Sequence, residues 1–86
     1  MNEPEVLTQD TPRKLTFGEK ACGITFNPSQ IPEVDIIKTA CAGLIDLLHD
    51  GRCITDNADK KRMYSEAITA IQTGQMWGVK AATWQY

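Results

Sequence analysis

Two helical periods in succession, joined by a short polar link, leave this chain few folds to choose from. In "PEVDIIKTACAGLIDLLHDG" the residues Val34, Ile37, Cys41, Leu44 and Leu48 recur at steps of three and four, the spacing of one helix face. Ile36, Ala40, Ile45 and Leu47 widen that stripe, while Asp35, Lys38, Thr39, Asp46 and Asp50 mark the side expected to face water. Glu33 and Asp35 suit the positive end of the helix dipole, and Gly51 is a plausible C-terminal stop. The spacing thus predicts a helix over about 32–50. A second stripe, Met63, Ala67, Ala70, Gly74, Trp77, Ala81 and Trp84, is broadened by Tyr64, Ile68, Ile71, Val79 and Ala82. It predicts a helix over about 57–84, with Asp56, Asn57 and Asp59 as N-cap choices.

A connection of roughly eight residues makes the two helices antiparallel neighbours. The expected fold is all-α: a two-helix hairpin over 13–86, preceded by a flexible acidic terminus over 1–12. Between them "LTFGEKACGITFNPS" is broken by Gly18 and Gly23 and reads as an N-terminal arm or short helix, ending in a turn at "NPSQIP".

Within the second helix, Gly74 and Gly78 each cost about 1 kcal/mol relative to Ala. Together with Ala67, Ala70 and Ala81 they form a strip of small residues on which another backbone can pack closely. Two helices with such wide apolar faces cannot cover each other completely. The surplus calls for the arm or for further subunits, and closed symmetry is the common solution, so a symmetric homo-oligomer is expected.

The formal charge of −2 gives no overall footprint for a DNA or RNA polymer. No apolar run approaches the ~20 residues of a membrane span. "MNEPEVLTQDTP" lacks a basic and an apolar leader region, so Cys22, Cys41 and Cys53 are expected as reduced thiols in a cytoplasmic protein. His49 is the single histidine, read as a solvated residue near a helix end without ligand-spaced partners, so no metal site is expected. No catalytic constellation or phosphate loop stands out, and neither enzymatic activity nor a cofactor is expected.

Binding chemistry is better represented. "DKKRMY" gathers Lys61 and Arg62 beside Tyr64, either a solvated helix start or an anion site, since the planar Arg fork suits phosphate. Phe17 and Phe26 read either as core or as stacking platforms. Phe26 precedes the first long helix and Lys38 lies on it, a pair able to grip a nucleobase and its phosphate.

"LTFGEKACGITFNPS", "VDIIK" and "AITAIQTGQMWGVKAATW", spread over residues 13–85, resemble the phage anti-CBASS cyclic-nucleotide sponges, whose helical hairpin also occurs in an anti-Thoeris sponge. The resemblance implies a non-enzymatic sink for cyclic di- or trinucleotides, assembled as a hexamer in the host cytoplasm. It carries the dinucleotide-site roles onto Phe26 and Lys38, with Phe17 competing for the stacking role, and a trinucleotide-site role onto Arg62. Ala40 stands where some relatives have a hydroxyl, which counts against that second site. Two other classes compete: a helical-hairpin oligomer that binds a host protein, and a small phosphodiesterase.

Overall fold

The computed structural model describes residues 13–86, and the expected acidic terminus over 1–12 lies outside them. Three helices and no strand occur among the described residues: α1 (Phe17–Cys22), α2 (Pro32–Ile54) and α3 (Ala58–Ala82). The Cα atoms span only 12 Å along the thinnest axis, so the molecule is flat. None of these helices is long and apolar enough to cross a membrane.

Local signals set each boundary. The arm resolves into α1 because Thr16 and Glu19 form a capping box: the Thr16 hydroxyl accepts from the Glu19 N–H at 3.1 Å, and the Glu19 carboxylate accepts from the Thr16 N–H at 2.9 Å. Gly23, at φ +59°, turns the chain out of α1, with the N–H groups of Gly23 and Ile24 donating to the carbonyls of Lys20 and Glu19. Pro32 opens α2 with its missing N–H at a position that needs none. Asn57 caps α3 by accepting from the Lys60 N–H at 2.9 Å.

The hairpin connection is shorter than the sequence suggests. Gly51 does not stop α2, which runs one turn further to Ile54 and leaves only residues 55–57 as the link. Gly51 has a packing duty instead: a Cβ there would lie 2.6 Å from the Tyr64 ring. Gly18 serves likewise, since a Cβ would come within 2.1 Å of the Ala42 carbonyl oxygen. The absent side chain lets α1 lie against α2, where the Gly18 N–H donates to Asp46 Oδ1 at 2.7 Å. Asp46, expected on the wet side, therefore closes the α1–α2 contact.

The core is the seam where the three helices meet. Cys22, Ala42, Ile45 and Ile68 are buried, with Ala21, Ile24, Cys41, Leu48 and Ile71 packed around them. Burial raises the Cys22 thiol above its ordinary value, the mark of an inert cysteine. On α3 the face turned inward is the flank, Tyr64, Ile68, Ile71, Val79 and Ala82, and not the stripe expected to dominate. Met63, Trp77 and Trp84 are exposed, as are Ile36, Leu44 and Leu47 on α2. With only α1 and α3 packed against α2, part of each wide apolar stripe is left uncovered within one chain.

Candidate functional site

Lys38 overturns its expected place on the wet side: it is only 4% exposed. The positions 34, 38, 42 and 45 form the row of α2 that the loop after α1 and α1 itself cover, and burying the lysine stem there follows from that crossing. Its ammonium cannot reach water freely, so the chain supplies acceptors. Lys38 Nζ donates to the carbonyl of Gly23 at 2.9 Å and to the carbonyl of Phe26. Among the described residues no carboxylate forms an ion pair with it; the two salt bridges there are Arg13–Glu19 and Arg62–Glu66.

Phe26 stands over this buried cation. Its side chain is 70% exposed, and the ring centroid lies 5.4 Å from Lys38 Nζ. The segment that carries it continues into a turn in which Gln30 N–H donates to Asn27 O at 3.0 Å. Asn27 Nδ2 donates to the Ile31 carbonyl at 2.9 Å and to Asp35 Oδ1 at 3.1 Å, tying the turn to the start of α2. Between this turn and the end of α3 lies a cavity of about 230 Å³, lined by Phe26, Ser29, Val34, Lys38, Val79 and Thr83. Drug-sized ligands occupy roughly 300–1,000 Å³, so one chain offers room for part of such a molecule. An exposed aromatic plate, an ammonium with no carboxylate on it among the described residues and a few hydroxyls are groups suited to a planar base and its phosphate.

The other sequence candidates lie elsewhere. Phe17 stacks on His49, with ring centroids 4.1 Å apart and planes 7° from parallel. His49 is thus half-buried rather than solvated, and it does have a partner at helical spacing: Cys53 Sγ is 3.6 Å from Nε2. Arg52 joins the group, reaching His49 Nδ1 and the Ser65 hydroxyl, each at 2.9 Å. Because a guanidinium only donates, Nδ1 is the acceptor in the Arg52 contact. Eleven residues of α2 separate His49 from Lys38, about 16 Å of helix, so Phe17 and Phe26 belong to different clusters.

Arg62 and Lys61 sit on the first turns of α3. Arg62 pairs with Glu66 at 2.7 Å and borders a shallow groove with Ser65, Thr69 and Ala70. Lys61 is exposed. From Arg62 to Val79 is about 25 Å along the helix, so neither basic residue reaches the Phe26–Lys38 cavity of its own chain. Sequence reasoning missed Ser29 and Thr83 as lining groups. The "NPSQ" turn was the available signal for Ser29, whereas Thr83 enters only because α3 runs back past the start of α2.

Compared with known proteins, residues 18–83 match the family model described as "Acb2/Tad1, hairpin domain". No curated protein and no solved structure matches the chain. The matched span contains all of α2 and α3 and nearly all of α1, with Phe26, Lys38 and Arg62 inside it. The chain therefore belongs to the Acb2/Tad1 hairpin family, which implies, at the level of the family, a phage cyclic-nucleotide sponge.

Proposed function

We propose that the protein binds cyclic oligonucleotide second messengers without altering them and holds them away from their effectors, blocking CBASS immunity in the host cytoplasm. The observation that carries this reading is Lys38: a buried ammonium with no carboxylate partner among the described residues, beneath an exposed aromatic ring. Burying a charge is costly unless it is satisfied, so a site that keeps one is suited to an anion. In this reading Phe26 stacks on a base and Lys38 meets a phosphate of a cyclic dinucleotide.

The chain does this as a homo-oligomer, a hexamer. Its cavity is small for a cyclic dinucleotide, and the exposed stripe of α3 supplies a surface on which copies can meet. Assembly also offers a way for Arg62 and Lys61 of one chain to approach a ligand held by another, which supports a cyclic trinucleotide as a second ligand. The loss of a hydroxyl at Ala40 argues for a weaker second site.

Calorimetric titration with a panel of cyclic di- and trinucleotides, followed by heat release and chromatography, tests the proposal. Submicromolar binding corresponds to about −8 kcal/mol or better. The expected result is such binding with intact ligand recovered, abolished by Phe26→Ala and by Lys38→Ala in assemblies of unchanged size. Recovery of a linear product would replace the sponge by a phosphodiesterase. Silence across the whole panel would favour the other reading that the exposed α3 face supports, an oligomer that docks on a host protein.

A further inference from the structure

Lys38 has a second duty that does not depend on any ligand. Three hydrogen bonds close a ring at the turn after α1. The Phe26 N–H donates to the Gly23 carbonyl at 2.9 Å, and the ammonium donates to that same carbonyl, also at 2.9 Å, and to the carbonyl of Phe26. The turn is wrapped around Nζ, so both carbonyls are aimed at one point inside the chain. Gly23 makes this possible with its left-handed backbone, at φ +59°.

We propose that Lys38 is a positioning residue for Phe26: its ammonium is the hub that holds the Gly23–Phe26 turn, and through it the aromatic plate, in place before any ligand arrives. Phe26 is 70% exposed, so little side-chain packing is available to fix its ring. What fixes the residue is its backbone, held on both sides by hydrogen bonds that converge on Nζ. An ammonium has three donors, and two are spent on the turn. Among the described residues no third acceptor meets it, so that donor can serve an incoming anion, which makes plate and cation one preorganised unit.

This inference rests on the sponge reading for its meaning but not for its test, which is made on ligand-free protein. Hydrogen exchange is measured on the amides of residues 24–31 in the wild-type chain, Lys38→Met and Phe26→Leu. Bonds to a charged group are the stronger ones, so Lys38→Met is expected to speed exchange at Phe26 by roughly tenfold or more. Amides in the middle of α3 should stay protected. Phe26→Leu, which leaves the backbone ring intact, is expected to leave exchange within about twofold while weakening binding of 3′,3′-cyclic di-AMP.

Unchanged exchange at Phe26 in Lys38→Met would overturn the positioning role and leave Lys38 as a ligand contact only. Should Lys38→Met fail to fold, the wild-type protein decides alone. In side-chain amine NMR, the Lys38 Nζ protons are expected to exchange slowly and to show couplings to the carbonyl carbons of Gly23 and Phe26. A freely exchanging ammonium without those couplings would refute the proposal. If the wild-type chain bound no cyclic dinucleotide yet showed slow Lys38 protons and a Lys38-dependent turn, the sponge reading would fail and the positioning role would stand.

Discussion

The α1–α2–α3 seam and the outer face of α3 are built from the same kinds of residue, yet the chain treats them in opposite ways. In the seam, glycines are places of contact: Gly18 lies under the Ala42 carbonyl and Gly51 under the Tyr64 ring. On the outer face Gly74 has, among the described residues, nothing within 4 Å of where a Cβ would stand, whereas Gly78 turns toward α2 and meets Ile37 at ordinary contact distance. Aliphatic side chains divide the same way, with Ile45 fully buried and Leu47, two residues on, 67% exposed. The difference teaches that one chain explains only half of its own apolar pattern. The seam accounts for folding, and the outer face accounts for the helix-weakening Gly74 only if another surface covers it.

The comparison breaks first, and by the largest amount, at its aliphatic pair. Ile45→Ala empties a site with no exposure and is expected to cost about 3 kcal/mol of stability in urea unfolding. Leu47→Ala, measured on the dissociated chain, is expected to stay within about 0.5 kcal/mol. Equal losses would mean that the seam is not the core.

Glycine substitutions sharpen it next. Gly18→Ala forces α1 off the Ala42 carbonyl and strains its bond to Asp46, for an expected loss of about 2 kcal/mol by the same assay. Gly74→Ala meets open space in the single chain and should stabilise it by up to about 1 kcal/mol through helix propensity. In the hexamer proposed above, Gly74→Leu is expected to do the reverse, causing dissociation in analytical ultracentrifugation. An assembly of unchanged size with Leu at that position would remove the packing explanation for the glycine.

The smallest effect lies at the start of α1, outside both regions. Arg13 donates to the Glu19 carboxylate at 2.8 and 2.5 Å, and that ion pair, with help from the Thr16 N–H, lowers the Glu19 value from the ordinary 4.5 to about 2. A depressed carboxylate contributes stability in full above its unfolded value, and the contribution is lost as pH falls through the folded one. Wild type and Glu19→Gln should therefore differ slightly in thermal melts near pH 6 and converge toward pH 2. Arg13 is exposed while Glu19 is partly covered, and solvent around the arginine screens the pair and keeps the gap small. A gap that widened in acid would contradict the assignment.

Much of the fold was legible in the residues themselves. Two stripes at helical spacing predicted α2 and α3, and Asn57 was among the caps foreseen. The capping box at Thr16 and Glu19, followed by Gly23, was a further local signal for α1 that the break at Gly18 obscured. These features work within a few residues of chain, where propensity, capping and backbone freedom act before any packing.

Which face of each helix turned inward was not legible. The α3 stripe from Met63 to Trp84 is more regular than its flank, which is interrupted at Gln75, yet the flank turned inward; periodicity cannot say which of two adjacent apolar rows meets a neighbour. The same holds for the candidate site. Phe26 and Lys38 could be named as types suited to a nucleotide, and the family resemblance singled them out. Their union in one cavity depends on the Gly23 turn crossing α2, and Phe17 was diverted to His49 by the docking of α1. By itself the sequence determined the helices, their caps and the residue types available for binding, because these are local matters of spacing and chemistry. Only the tertiary structure decided that Lys38 would be buried and Trp77 exposed, because burial is settled by which surfaces the docking of α1 and α3 against α2 happens to cover.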